Sequence, residues 1–158
     1  IDTRNFMNRT GVRTFEAAAF LRRCGADITR VRKMFRDDMA SYRAKAEAMR
    51  KAEVYRKEYA IAECPSDIES PTVLAAQTAN ELLDISGIKA SFVLTVYEGK
   101  IYLSARSIDE VNVQIIAEKL GGGGHINSAG AQFDHTNIQE VITILKETID
   151  EMIEEGDI

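Results

Sequence analysis

Tryptophan is absent from the 158-residue chain, and cysteine occurs only twice, at Cys24 and Cys64. The two cysteines lie far apart, with neither CxxC spacing nor the pattern of a secreted framework, so a disulfide scaffold and a zinc knuckle are both excluded as organising principles. A reducing, cytoplasmic setting fits that usage. No run approaches the roughly 20 apolar residues that a membrane span requires, and no charged-then-apolar leader precedes the fold. Internal repeats and low-complexity linkers are missing as well. The chain opens at Ile1 directly on the dense string Asp2-Thr3-Arg4-Asn5-Phe6. We therefore read the start as a position inside a larger protein whose other part lies upstream.

What is present suits one compact domain or a small domain with an appendage, since 45% of residues are hydrophobic and 28% charged. The net charge of −5 hides an asymmetry: residues 1–57 hold 15 Lys/Arg against 7 Asp/Glu, whereas residues 58–158 hold 5 against 18. A basic first third is compatible with nucleic acid. Its charges, however, are interleaved with alanines and acids at helical spacing, the pattern of a solvated helix face.

The elements follow from periodicity and punctuation. Thr14 to Cys24 reads as a helix stopped by Gly25. From Asp27 to Lys57 the chain avoids Gly and Pro, and Phe35, Met39, Tyr42, Ala46 and Met49 form one narrow apolar stripe, which predicts a single long connecting helix. Tyr59 to Cys64 is a strand candidate. Ser70-Pro71 supplies a cap and a first-turn proline for a helix through Leu82, Leu83 and Ile85, ended by Gly87. Ser91–Tyr97 and Lys100–Ser104 alternate with period two around Glu98-Gly99, a hairpin signal. Asp109 is placed to cap a helix carrying Val111, Ile115, Ile116 and Leu120, which four glycines stop. Ala129–Phe133 is a strand. Thr136 with Gln139 forms a capping box for a last helix that buries Ile138, Val141, Ile142, Leu145, Ile149 and Met152. The expected fold is α/β: a mixed β-sheet of about four or five strands flanked by helices.

The segment with most chemical promise is Gly121-Gly122-Gly123-Gly124-His125, continuing through Asn127-Ser128-Ala129-Gly130. Ordering four consecutive glycines costs roughly 1–2 kcal/mol per residue, which something must offset. A phosphate ligand is one answer, because bare backbone N–H groups approach its oxygens closely and His125 adds a hydrogen bond. A flexible joint after a helix is the other. A Walker loop is excluded, since no GK[ST] follows. Arg106, just past Leu103-Ser104-Ala105, is one of five basic residues in the acidic part, and its planar fork suits a phosphate as well as a surface ion pair. Asn112 lies close by in sequence, and all three features can gather at one sheet edge. Asp2 carries an oxygen of the kind divalent metals need, but also suits an N-cap, and no HxxxDxD string accompanies it.

Two stretches resemble a known family. Ser104-Ala105-Arg106-Ser107, Val111-Asn112-Val113, and Gly121 to His125 followed by Ser128-Ala129-Gly130 resemble the DHH-associated C-terminal domain of the DHH phosphoesterases, whose usual ending is GGGHxxAAG. Ser128 stands where the first alanine of that ending is common. Asp2-Thr3-Arg4-Asn5-Phe6, with Arg9-Thr10-Gly11 and Arg13-Thr14-Phe15, resembles the end of the DHH catalytic domain in cyclic-di-AMP phosphodiesterases of the GdpP type.

The resemblance implies residues 1–26 as the remnant of a DHH catalytic domain, 27–57 as a connector helix and 58–158 as the DHH-associated substrate-binding domain. It implies a metal-ligand role for Asp2 at a pair of manganese ions held mostly by an upstream DHH domain. It implies substrate binding by Arg106, Asn112, Gly122, Gly123, Gly124 and His125, and no catalytic residue in this chain by itself, which is expected to be inactive alone. The implied activity is hydrolysis of cyclic-di-AMP to the linear dinucleotide pApA, in a parent that resembles membrane-anchored regulators at the cytoplasmic face. The partner is a cyclic dinucleotide or a short linear adenine dinucleotide. No long nucleic acid is expected, and there is room for a homo-oligomer. The competing readings are a lobe of an oligoribonuclease or RecJ-like exonuclease holding RNA or single-stranded DNA ends, and a non-catalytic nucleic-acid-binding module. The acidic second part and the lack of tryptophan argue against the first, and the Asp2 string argues against the second.

Overall fold

The structure, a computed structural model, describes residues 3, 6, 10–108, 110–134 and 137–158. Asp2, Asp109 and Thr136, to which the sequence assigns a metal-ligand role and two helix caps, lie outside the described residues. The chain divides into two compact units, one ending at Asp37 and one spanning Asp38–Ile158.

The first unit holds α1 (Val12–Arg23) and α2 (Ile28–Met34). The sequence places the end of α1 correctly: Gly25 adopts a φ of +94°, which favours glycine. The Asp27 carboxylate caps α2 by accepting from the Thr29 N–H at 2.8 Å. Phe6 and Phe15 stack with ring centroids 5.3 Å apart.

The expected single connector helix over 27–57 is interrupted. α2 stops at Met34, and α3 (Met39–Lys51) begins afresh. The cause is Asp38, whose carboxylate accepts from the N–H groups of Ala40 and Ser41 and from the Ser41 hydroxyl. A short acidic side chain that competes for backbone donors favours a helix start over a helix interior. The apolar stripe also fails to mark the buried face, because Phe35, Met39 and Tyr42 are exposed. α3 instead buries Ala48 and Lys45, and the Lys45 ammonium lies 2.6 Å from the Glu81 carboxylate. The last residues of the predicted helix turn into an edge strand.

The second unit is built on one mixed sheet of six strands, β1 (Glu53–Tyr55), β2 (Tyr59–Glu63), β3 (Ala90–Tyr97), β4 (Lys100–Ser107), β5 (Gly123–His125) and β6 (Ser128–Phe133), in the order β1-β2-β3-β4-β6-β5. The α/β class with a helix-flanked mixed sheet is as the sequence predicts. The two strands not located from the sequence, β1 and β5, are three-residue edge strands too short to show a period. Only β2 and β3 run parallel, joined through α4 (Pro71–Leu82) as a crossover requires. Pro71 opens α4 at its first turn, while the Ser70 side chain makes no cap bond. The β3–β4 hairpin turns on Glu98 and Gly99, both with positive φ.

Alternation along the strands sends side chains to two cores. On one face Phe92, Leu94, Ile101 and Leu103 pack under α5 (Val113–Lys119) and α6 (Ile138–Glu155). α6 buries Val141, Leu145, Ile149 and Met152 as its periodicity predicts, with Ile138 and Ile142 partly buried beside them. Asn112 and Asn137 provide the caps of α5 and α6, accepting from the N–H groups of Gln114 and Gln139. On the opposite face α3 and α4 cover Ala60, Ala62 and Val93, around Leu74, Ala75, Ala79 and Leu82. Among the described residues no helix is long and apolar enough to cross a membrane.

Candidate functional site

The site grows out of the sheet register. In an antiparallel pair, residues directly opposite one another project to the same face. Arg106 on β4 stands opposite Ser128 on β6, and Ser128 stands opposite His125 on β5. These three therefore form one row across the outer strands, the Arg106 and His125 backbones about 10 Å apart at two strand spacings. The row lies on the α3/α4 face, since Ala105 and Ala129 project into the other core. Arg106 and Ser128 are half-buried, and His125 at the edge is exposed.

Arg106 is the electrostatic centre of this row. Its Nη1 donates to the Ala105 carbonyl at 2.8 Å and to the Ala129 carbonyl at 3.4 Å, which fixes the guanidinium over the sheet. Burial pulls its pKa below the ordinary value. An arginine nevertheless remains charged at neutral pH, so the residue carries a partly desolvated positive charge. The four lysines of residues 58–158 are all neutralised: Lys89 by Glu58 and Glu110, Lys100 by Asp134, Lys119 by Glu155 and Lys146 by Glu53. Arg106 is the one cation of that acidic stretch with no carboxylate partner among the described residues.

The glycines are of two kinds. A Cβ on Gly122 would come within 2.1 Å of the Gly130 carbonyl oxygen, and one on Gly124, at φ +150°, within 2.5 Å of the Ala129 Cα. At both positions glycine is demanded by the close approach of the β5 segment to β6. Gly123, between them, has nothing within 4 Å of an added Cβ and no positive φ. Neither close packing nor a left-handed backbone therefore demands glycine at Gly123. The run is thus an edge strand, not a joint.

Of the residues the sequence singles out, Arg106, His125 and Gly123 come together on one face. Asn112 stands at the same end of the sheet, where the Val113 N–H donates to the Ile126 carbonyl at 3.0 Å, but it caps a helix that packs on the opposite face. Sequence reasoning named Ser128 and Ser104 only as parts of motifs, without a site role, and missed Tyr102 and Gln132 further along the same face. The signal was available as polar or aromatic residues at every second position of β4, between Ile101, Leu103 and Ala105. Among the described residues no group of three or more His, Cys, Asp or Glu side chains could hold a metal ion. The described residues therefore offer no metal-ligand cluster, and Arg106 and the backbone N–H groups of the β5 segment stand there as hydrogen-bond donors.

The family model described as the DHHA1 domain matches residues 57–151. Cyclic-di-AMP phosphodiesterase PdeA of Listeria monocytogenes is 42% identical over 151 residues, covering 95% of this chain and 23% of that protein. Cyclic-di-AMP phosphodiesterase GdpP of Bacillus subtilis is 42% identical over 159 residues, covering 99% of this chain and 24% of that protein. The chain thus spans about a quarter of the length of these curated relatives. Among solved structures, an exopolyphosphatase-related protein from Bacteroides fragilis superposes with a TM-score of 0.80 at 19% identity, covering 92% of this chain and 45% of that one. RecJ of Thermus thermophilus superposes with a TM-score of 0.52 at 13% identity, over 70% of this chain and 16% of that one. The chain carries a DHHA1 domain and belongs to the DHHA1 family, with homologues among the phosphodiesterases.

Proposed function

We propose that this chain is the substrate-binding C-terminal portion of a manganese-dependent phosphodiesterase that hydrolyses cyclic-di-AMP to pApA. The observation that carries the proposal is Arg106, the cation without a carboxylate partner among the described residues of an acidic domain, in one row with His125 beside the open backbone of Gly123. The names of the relatives supply the substrate class. In this reading the Arg106 guanidinium takes a phosphate oxygen, the Gly123 segment offers backbone N–H groups, and the His125 imidazole adds one hydrogen bond. Gly122 and Gly124 hold that segment against β6, and Asn112 fixes the helix start behind it.

Such a cradle orients the phosphodiester and offsets its charge without breaking it. The attacking group and its metals belong to an upstream DHH domain, with Asp2 the residue of this chain assigned to them by resemblance. The parent acts in the cytoplasm, and this chain alone is inactive. The test uses the full-length protein that carries both domains. Manganese-dependent turnover of cyclic-di-AMP, faster than that of a linear dinucleotide or a ten-nucleotide strand, and reduced by Arg106→Gln at unchanged thermal stability, is the expected result. Preference for the ten-nucleotide strand would instead support an exonuclease lobe.

A further inference from the structure

The sheet face beside α4 continues past the phosphate row, and its far end has a different chemistry. Along β4, Tyr102, Ser104 and Arg106 project to one side at intervals of about 7 Å. The register sets Ser104 against Gly130 and Tyr102 against Gln132. The middle position therefore carries only small groups, with a half-buried aromatic ring at one end and the guanidinium at the other. The Tyr102 ring makes a tilted contact with Tyr97, centroids 6.1 Å apart at 58°. Neither the Tyr102 hydroxyl nor the Gln132 amide has a hydrogen-bond partner among the described residues.

Given the reading of Arg106 as the phosphate ligand, we infer that Tyr102 is the stacking platform for the nucleobase of the same nucleotide, with Gln132 at the edge of the stacked base. Cation and ring lie on one strand, two side-chain intervals apart, with the small Ser104/Gly130 pair between them and α4 packed beside β4 on the same face. This is the arrangement in which a single 5′-nucleotide lies along β4, phosphate towards His125 and base towards the β3–β4 hairpin. An aromatic ring supports any base, whereas a glutamine amide beside it matches the donor-acceptor pair on the edge of adenine. The inference assigns a base-recognition role to the β4–β6 hairpin face, which the glycine segment does not supply.

The chain's lack of tryptophan makes the test direct. Tyr102→Trp installs a lone indole, and its emission is expected to be quenched by AMP and not by ribose 5-phosphate at equal concentration. In parallel, Tyr102→Leu is expected to weaken AMP binding by roughly tenfold while leaving ribose 5-phosphate binding unchanged, with Tyr102→Phe close to wild type. Arg106→Gln should weaken both ligands. Equal losses of AMP and ribose 5-phosphate in Tyr102→Leu, or an indole that AMP does not quench, overturns the stacking role while the phosphate reading stands. If Arg106→Gln affects neither ligand, or the wild-type chain binds neither at millimolar concentration, the phosphate reading and the inference built on it both fail.

Discussion

The sharpest consequence of the two kinds of glycine is that neighbouring Gly→Ala substitutions should have opposite effects. In Gly122→Ala the new methyl carbon meets the Gly130 oxygen at 2.1 Å, the Ala131 Cα at 2.6 Å and the Ala131 Cβ at 2.7 Å. These atoms cannot retreat, because β6 is hydrogen-bonded to β4 on its other side through the Leu103–Ala131 and Ser104–Gly130 pairs. β5 must peel away, and a cost of about 3 kcal/mol is expected, the upper end for overpacking. For a chain of this size that is a fall in Tm of about 10 °C. Gly123→Ala meets nothing within 4 Å. Its Tm should stay level or rise by about 1–3 °C as the unfolded chain loses freedom. Its affinity for a linear adenine dinucleotide should nevertheless fall by roughly tenfold, equivalent to ~1.4 kcal/mol, because the methyl group intrudes where phosphate oxygens meet the backbone. Thermal melts followed by circular dichroism and a calorimetric titration read both quantities. A Gly123→Ala protein as unstable as Gly122→Ala, or one that binds the dinucleotide normally, would refute the idea that Gly123 is kept bare for a ligand.

Further outcomes follow from the same geometry. Asp38→Ala removes the carboxylate that accepts from Ala40 and Ser41 at the start of α3, and should cost about 1 kcal/mol, a fall of about 3 °C in Tm. Asp38→Asn should recover most of it. Arg56 and Tyr55, both bonded to Asp150, hold that carboxylate below its ordinary range and clip β1 to α6. A depressed carboxylate contributes stability that is present above its unfolded pKa and lost as pH falls through the folded one. Hydrogen exchange at the β1–β2 pairs should therefore speed up on acidification beyond the intrinsic pH effect, and Asp150→Asn should abolish the extra pH dependence. Phe92→Ala, emptying a fully buried site in the core under α5 and α6, should cost about 3–5 kcal/mol in denaturant melts.

Much of the second unit was legible because its signals are local. The Glu98-Gly99 turn sits between two runs of period two, and α6 carries its apolar residues at helical spacing over 18 residues. The connector was misread because helix propensity summed from Asp27 to Lys57 outweighs one capping residue. Asp38 decides the break through a hydrogen-bond geometry that propensity does not encode. The edge strands β1 and β5 were invisible, since three residues carry no period and Gly123-Gly124-His125 has almost no β propensity. β5 exists because glycine lets its backbone approach β6. In the site, the individual residues Arg106 and His125 stood out by type, but their juxtaposition depends on register between strands far apart in the chain. Tyr102 and Gln132 were overlooked for the same reason.

The central claim, that Arg106 takes a substrate phosphate on the open sheet face, is tested most directly by following its side-chain Nε–H in an isotopically labelled chain during titration with pApA. A saturable shift of that resonance, accompanied by the Gly123 and His125 amides and lost in His125→Ala combined with Gly123→Ala, is the predicted result. Saturable shifts that leave Arg106 untouched and gather instead on α6 or α1 would contradict the account.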